Sequence, residues 1–290
     1  MIGIIDIGSN TVRLNIYKIN KDSYQLLVSK TEMVGLAHHI VDGAMEPSGV
    51  RAAIKVLRSF IQLAINLQCR EVHAFATASL RNISNSKAIV QEIAASVQIP
   101  IELLTGEQEA YLGFSGSTQE IDIPSGLLLD IGGGSTELVN FDHHDVIAST
   151  SIPMGSLTSY RDYVSDVIAK PVELSKLQRD FSTKMNEQLQ LSLQVESVIC
   201  IGGTARATFL LLNEEQKTTK DQVQKLLDKL SDGSTESKMM ILKTVPDRIH
   251  TILPGLQLLN EVLSSVQAKE IYLSHSGVRE GYLLKQVLGR

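Results

Sequence analysis

The chain has 290 residues, 43% of them hydrophobic and 20% charged, and a formal charge of −5. That length favours two domains over a single core, and the composition leaves little room for long disordered tracts. A mildly acidic chain with no basic block or aromatic-basic interleaving argues against nucleic acid as the main partner. An anionic ligand must then be met by local amides, cations or metal.

Residues 2–7 read as a buried strand and lack the basic region and long apolar stretch of an export signal, so the expectation is a cytoplasmic protein with no membrane partner. Gly8-Ser9-Asn10 forms a tight turn. The strand that returns from it alternates Val12, Leu14 and Ile16 with half-exposed Arg13 and Asn15. Residues 24–28 supply a third strand, and His38-His39 reads as loop because adjacent side chains diverge. From Ser48, a cap after Pro47, Val50, Ala53, Ile54, Leu57, Ile61, Ala64 and Ile65 recur at helical spacing. A strand at 72–76 follows, then a polar loop carrying Arg81. A helix starts at Ser84 and ends at Pro100, and 101–104 forms a further strand.

The pattern then begins again. Residues 127–131 form a strand, Gly132-Gly133-Gly134-Ser135 a turn and 136–141 a returning strand, so Asp6-Ile7-Gly8-Ser9 is echoed by Asp130-Ile131-Gly132-Gly133. This repetition predicts duplicated domains, 1–124 and 125–290, facing each other across a cleft, with the final helix packing back on the first domain. A polar helix is expected over 172–193, strands at 198–201 and 271–274, and a closing helix. Cys69 and Cys200 have no metal-ligand spacing and read as reduced core thiols.

In each repeat an aspartate ends a strand just before glycine-rich turn residues, whose N–H groups can converge on an anion without side-chain obstruction. Asp6 and Asp130 would repel phosphate directly and make sense as holders of Mg²⁺ or its waters. Ile201-Gly202-Gly203-Thr204 adds a third glycine turn, this one opening a helix whose positive end suits phosphate. Glu107 and Glu109 fall in the first turn of another helix and face different ways. Spacing leaves open whether one is a general base or both simply favour the helix start. Arg81 could clamp a distal phosphate or be an ordinary loop arginine.

Taken together, Ile5-Asp6-Ile7-Gly8-Ser9-Asn10-Thr11, the 76–82 loop, Thr105-Gly106-Glu107-Gln108-Glu109-Ala110 and the run from Leu129 to Leu138 resemble the Ppx/GppA phosphatase family. Pro153-Met154-Gly155, Gly202-Gly203-Thr204-Ala205 and the segment from Ser274 to Gly281 continue the resemblance over nearly the whole chain. It implies an α/β fold, the duplicated actin-like (ribonuclease H-like) ATPase superfold with an interdomain cleft. By the same resemblance Glu109 is the catalytic glutamate, and Asp130 and Glu137, joined by Asp6, are the Mg²⁺ (or Mn²⁺) positions. Gly8, Ser9, Asn10, Gly133, Gly134, Ser135, Gly203 and Thr204 fall on phosphate-cradling turns, and Arg81 on an arginine that contacts the phosphate chain. The implied enzyme is a homodimeric, Mg-dependent exopolyphosphatase acting on inorganic polyphosphate. A pppGpp 5'-phosphohydrolase, a non-catalytic alarmone sensor and a small-molecule kinase are the alternatives on the same fold. The chain departs from the family pattern at Ile249, His250 and His275, and it lacks the added helical domains of longer members.

Overall fold

Strands β1 (Ile2–Ile7) and β2 (Thr11–Ile19) pair as a hairpin with Ile5 opposite Leu14 and Ile7 opposite Val12. All four side chains are fully buried, which fixes the register, because a one-residue slip would turn the apolar set to the wrong face. The computed structural model describes residues 1–21, 23–188 and 194–290. It divides into two compact units, Met1–Gly106 and Glu107–Arg290, so the division falls ahead of the 123–125 boundary expected from the repeat.

The first unit continues with β3 (Tyr24–Met33), longer than its predicted stretch, and a small hairpin of β4 (Ile40–Val41) and β5 (Ala44–Met45). Helix α1 (Pro47–Asn66), β6 (Glu71–Ala76), the short helix α2 (Ala78–Arg81), α3 (Ser86–Val97) and β7 (Ile101–Leu103) follow. The main sheet runs β3-β2-β1-β6-β7, with β6 parallel to both β1 and β7. Its core joins Ile5, Ile7 and Leu14 to Leu57 and Phe60 of α1 and Ile93 of α3. Three local expectations are corrected. Helix α1 starts at Pro47 rather than Ser48, since a residue without N–H costs nothing in the first turn. Helix α3 starts at Ser86, whose hydroxyl is donated to Leu80 O. Asn15 is buried, 2% exposed, because its Nδ2 donates to the buried Tyr17 hydroxyl at 2.8 Å.

The second unit contains α4 (Gly106–Ser117, from its second residue), β8 (Gly126–Ile131), β9 (Thr136–Asp142), β10 (Asp145–Ile152), α5 (Ser156–Tyr163) and α6 (Pro171–Gln188). The predicted continuation of α6 to Leu193 lies outside the described residues. Then come β11 (Ser197–Ile201), α7 (Gly202–Leu212), β12 (Lys217–Thr219), α8 (Lys220–Leu230) and α9 (Thr235–Thr244). The unit closes with α10 (Ile252–Ser265), β13 (Glu270–Leu273) and α11 (Val278–Tyr282). Its sheet order, β10-β9-β8-β11-β13-β12, repeats that of the first unit with one strand added. This is the duplicated α/β architecture of the actin-like superfold.

One face of the second sheet, with Leu127, Leu129 and Cys200, is covered by Leu177 and Phe181 of α6 and Leu256 and Leu263 of α10. Burial, reinforced by the charge of Asp130, pushes the Cys200 thiol up, consistent with an unreactive core thiol, and burial raises Cys69 as well. The other face, with Leu128, Val139, Phe141 and Ile199, is covered by Ala110 and Phe114 of α4, the Phe114 and Phe141 rings lying 5.0 Å apart. Helix α4 is seated by glycines. A Cβ on Gly113 would lie 3.0 Å from Ile201 Cδ1, Gly116 backs directly onto Gly277 O, and Gly281 of α11 onto Leu112 O. Among the described residues no helix is long and apolar enough to cross a membrane. Gly281→Ala forces a methyl against backbone and is expected to lower stability by about 1–3 kcal/mol. Urea denaturation will show whether its midpoint falls accordingly.

Candidate active site

The register of the second sheet gathers acids in a row. Asp130 at the end of β8 is paired with Glu137 of β9, and Glu137 with Ser151 of β10. Directly paired antiparallel residues share a face, so these three side chains lie side by side on the face that α4 covers. Glu137 is 1% exposed, and its Oε1 accepts a hydrogen bond from Ser151 Oγ at 2.7 Å. Sequence reasoning misses Ser151, because the polar, largely exposed run Asp145–Ile152 carries no clear strand signal.

Between Asp130 and Glu137 lies the turn Gly132-Gly133-Gly134-Ser135, closed by Gly132 N donating to Ser135 O at 2.9 Å. Its neighbour in the sheet, β11, ends at Ile201 beside Asp130 and passes straight into α7. Gly202 has φ of 86°, a left-handed conformation, and a methyl there would collide with the Asp130 carboxylate. Asp130 therefore rests against the backbone at the start of α7, where the helix presents its orphan N–H groups. Thr204 is buried at 2% exposure and donates its hydroxyl to Ile131 O at 3.1 Å, so this side chain braces the end of β8.

Arg248, which follows α9, lays its guanidinium across Gly203, where a Cβ would clash with it. Burial draws its pKa down from the ordinary arginine value, with Asp247 acting in the opposite sense. Arginine stays charged through any such shift. A half-buried cation is thus fixed over a helix start and a glycine turn. No local spacing links residues 203 and 248, so the sequence alone does not bring Arg248 to this turn.

Helix α4 carries both candidate glutamates, and burial separates them. Glu107 is exposed, whereas Glu109 is half-buried, one residue before the core residue Ala110. This supplies the discrimination that spacing withholds.

The first unit has its own turn and a matching row. Asp6 of β1 is paired with Arg13 of β2, and Arg13 with Thr31 of β3, Arg13 Nε donating to Thr31 Oγ1 at 2.8 Å. Where the second unit places an acid opposite its aspartate, the first places a cation. Gly8-Ser9-Asn10 closes through Gly8 N donating to Thr11 O at 3.0 Å, and Ser9 is buried. Arg81 sits at the end of α2 rather than in an open loop, and one of its five donors goes to Leu104 O at 3.0 Å. Asp6, Gly8, Ser9, Asn10 and Arg81 thus belong to the first unit. Glu109, Asp130, Glu137, Gly133, Gly134, Ser135, Gly203 and Thr204 belong to the second.

Two of the departures are explained by their contacts. His275 is exposed, and its backbone N–H, with that of Ser276, donates to Glu120 Oε2 at 2.8 and 2.9 Å, so the side chain is not what holds the turn. His250 packs against Tyr160 of α5, the ring centroids 4.9 Å apart and the planes inclined at 45°, with Nδ1 3.3 Å from Val167 O.

Residues 15–289 match the model of the Ppx/GppA phosphatase family. A Haemophilus influenzae relative whose name proposes exopolyphosphatase activity is 23% identical over 291 residues, covering 97% of this chain and 90% of that one. Exopolyphosphatase 1 of Mycobacterium tuberculosis is 28% identical over 169 residues, 57% of this chain and 49% of its own length, so that match spans about half of the relative. The crystal structure of an exopolyphosphatase from Cytophaga hutchinsonii superposes with a TM-score of 0.87 at 23% identity, over 99% of this chain and 98% of that one.

Hydrogen bonds to charged groups contribute about 1.5–3 kcal/mol. Arg248→Gln is accordingly expected to weaken tripolyphosphate binding by roughly tenfold or more, read by titration calorimetry. Unchanged affinity would restrict Arg248 to supporting the Gly203 turn.

Proposed function

The chain belongs to the Ppx/GppA phosphatase family, and from that premise we propose that it is an exopolyphosphatase, releasing orthophosphate from the end of an inorganic polyphosphate chain. The observation that carries this reading is the opposed pair Asp130 and Glu137 beside a glycine turn, on the sheet face that α4 covers, with Glu109 half-buried in the first turn of that helix. The names of the relatives support the same chemistry for those proteins.

The donor set suits a hard divalent cation. Two carboxylates on neighbouring strands meet the oxygen preference of Mg²⁺, which commonly keeps water and substrate phosphate as its remaining ligands. Among the described residues no group of three or more His, Cys, Asp or Glu side chains that could hold a metal ion is gathered. When bound, Mg²⁺ would neutralise phosphate oxygens and the charge of Asp130 and Glu137. Asp6 is the weaker candidate ligand, since Arg13 already stands opposite it.

Glu109 accepts a proton from the attacking water as the water oxygen bonds to the terminal phosphorus and the bridging P–O bond breaks. The shortened chain leaves with the bridging oxygen. Gly133, Gly134 and the start of α7 offer backbone N–H groups to the transferring oxygens, and Arg248 offers its guanidinium. Within the first unit, the turn Gly8-Ser9-Asn10 and Arg81 offer the same kinds of group, backbone N–H and guanidinium, for a phosphate. The same chemistry applied to pppGpp would remove its 5'-terminal phosphoryl group.

Orthophosphate release from tripolyphosphate, long polyphosphate and pppGpp decides the substrate, and a preference for pppGpp would overturn the exopolyphosphatase assignment. Glu109→Gln is expected to lower the rate by about 10²–10⁴-fold while keeping tripolyphosphate binding. A variant that still turns over at the parent rate removes Glu109 from the chemistry. Chelation should stop release, and added Mg²⁺ should restore it; release that persists in chelator would reject the metal.

A further inference from the structure

Each hairpin turn, Gly8-Ser9-Asn10 and Gly132-Gly133-Gly134-Ser135, is followed, after the third strand of its own sheet, by a segment that returns to hydrogen-bond the turn's carbonyls. In the second unit this segment is the start of α5. Ser156 N and Oγ donate to Gly132 O at 2.8 and 3.1 Å, and Leu157 N and Thr158 N donate to Gly133 O at 2.9 and 3.0 Å. We propose that Gly155 and the first turn of α5 are the positioning element of the phosphate turn, holding two carbonyls back so that the N–H groups of Gly133 and Gly134 face the ligand. The proposal rests on reading that turn as a phosphate cradle.

The argument follows from peptide geometry. In a trans peptide the C=O and the next residue's N–H point in opposite directions, and the described chain has no cis bond. Fixing Gly132 O and Gly133 O into α5 therefore turns Gly133 N–H and Gly134 N–H away from it. Among the described residues neither N–H has an acceptor. The helix start that would ordinarily attract an anion is itself consumed by carbonyls. Its role here is to orient donors rather than to bind.

Gly155 is required for room, not for conformation. Its φ of −128° and ψ of −178° are open to any residue. A Cβ there, however, would lie 2.6 Å from Gly132 O, Gly133 C and Ser135 N, all backbone atoms of the turn. Gly155 N also donates to Thr158 Oγ1 at 2.9 Å, tying it into the helix start.

The first unit repeats the device with unrelated residues. Ala37 N donates to Ser9 O at 3.1 Å, and Val34 N and Gly35 N donate to Asn10 O at 3.0 and 2.8 Å. Two adjacent turn carbonyls are again taken by the segment after the third strand, one residue further along the turn than in the second unit, so the N–H groups of Asn10 and Thr11 face the other way. Recurrence in both halves, where a helix serves one and a 3-10 turn (Leu36–His39) the other, ties the feature to the turns rather than to either local packing.

The test measures tripolyphosphate affinity by calorimetry in the full chain carrying Glu109→Gln, which prevents turnover. Gly155→Ala pushes the turn sterically. Ser156→Pro removes both hydrogen bonds from Ser156 to Gly132 O at a first-turn position that proline favours, after a residue already extended. Gly126→Ala is the control, since its Cβ would meet Ser197 O at 2.5 Å at the opposite end of β8. Gly155→Ala and Ser156→Pro are each expected to lose about tenfold or more in affinity, whereas Gly126→Ala loses thermal stability and keeps it. If Gly155→Ala does not fold, Ser156→Pro carries the test. Parent affinity in the Ser156→Pro variant, or an equal loss in Gly126→Ala, overturns the proposal alone. A parent that fails to bind tripolyphosphate overturns it together with the phosphate-cradle reading.

Discussion

Two carboxylates facing one another across neighbouring strands is the constraint around which the second unit's site is organised. At a cross-strand separation of about 5 Å and an effective dielectric of about 20, two like charges oppose each other by roughly 3 kcal/mol. A protein tolerates that arrangement where something compensates it. Ser151 donates to Glu137 on one side, and the start of α7 lies against Asp130 on the other. The first unit keeps the same three-strand row but sets Arg13 against Asp6, so its charge is balanced within the chain. Duplication supplied the geometry, and one exchange of charge separated the two halves chemically.

In the proposed site, backbone rather than side chains does most of the anion-directed work. Phosphate contact through N–H groups needs the donors aimed, and a planar peptide can aim a donor only by committing the carbonyl behind it. The segments at 34–37 and 155–158 make that commitment in the two units. The arrangement also accounts for why glycine is needed at Gly155, Gly202 and Gly203. One leaves space for the turn, one for the Asp130 carboxylate and one for the Arg248 guanidinium.

Much of this was legible in the sequence because the two hairpins are buried on both faces and repeat Asp-Ile-Gly at equivalent points. Strands β1, β2, β8 and β9, the three glycine turns and the helix carrying Glu109 follow from apolar period and turn chemistry. What was not legible lacked a local signal. The edge strand β10 is mostly polar and exposed, so Ser151 stays hidden until the register is known. Asn15 looks half-exposed by alternation, yet the Tyr17 hydroxyl provides a buried partner that no periodicity reveals. Arg248 reaches Gly203 through tertiary packing alone, and Glu107 and Glu109 are separated only by their burial.

The departures from the family pattern fit the same division between backbone and side-chain roles. At residue 275 the contact with Glu120 is made by the main-chain N–H, which any residue but proline supplies, so a histidine there leaves the turn held. Glu120 also accepts from Ser274 Oγ at 3.0 Å and Ser276 N, and Glu280 Oε2 accepts from Gly277 N at 2.8 Å, so two carboxylates brace the loop independently of residue 275. At residue 250 the side chain does make the contact, its imidazole packing at a 45° tilt against the Tyr160 ring, an aromatic pairing that an aliphatic acid cannot make. That ring contact ties the chain two residues beyond Arg248 to α5, the helix whose first turn holds Gly132 and Gly133. The arginine over Gly203 and the amides of the glycine turn are therefore referenced to one helix, and their relative placement is set by the packing of α5 rather than by any contact between them.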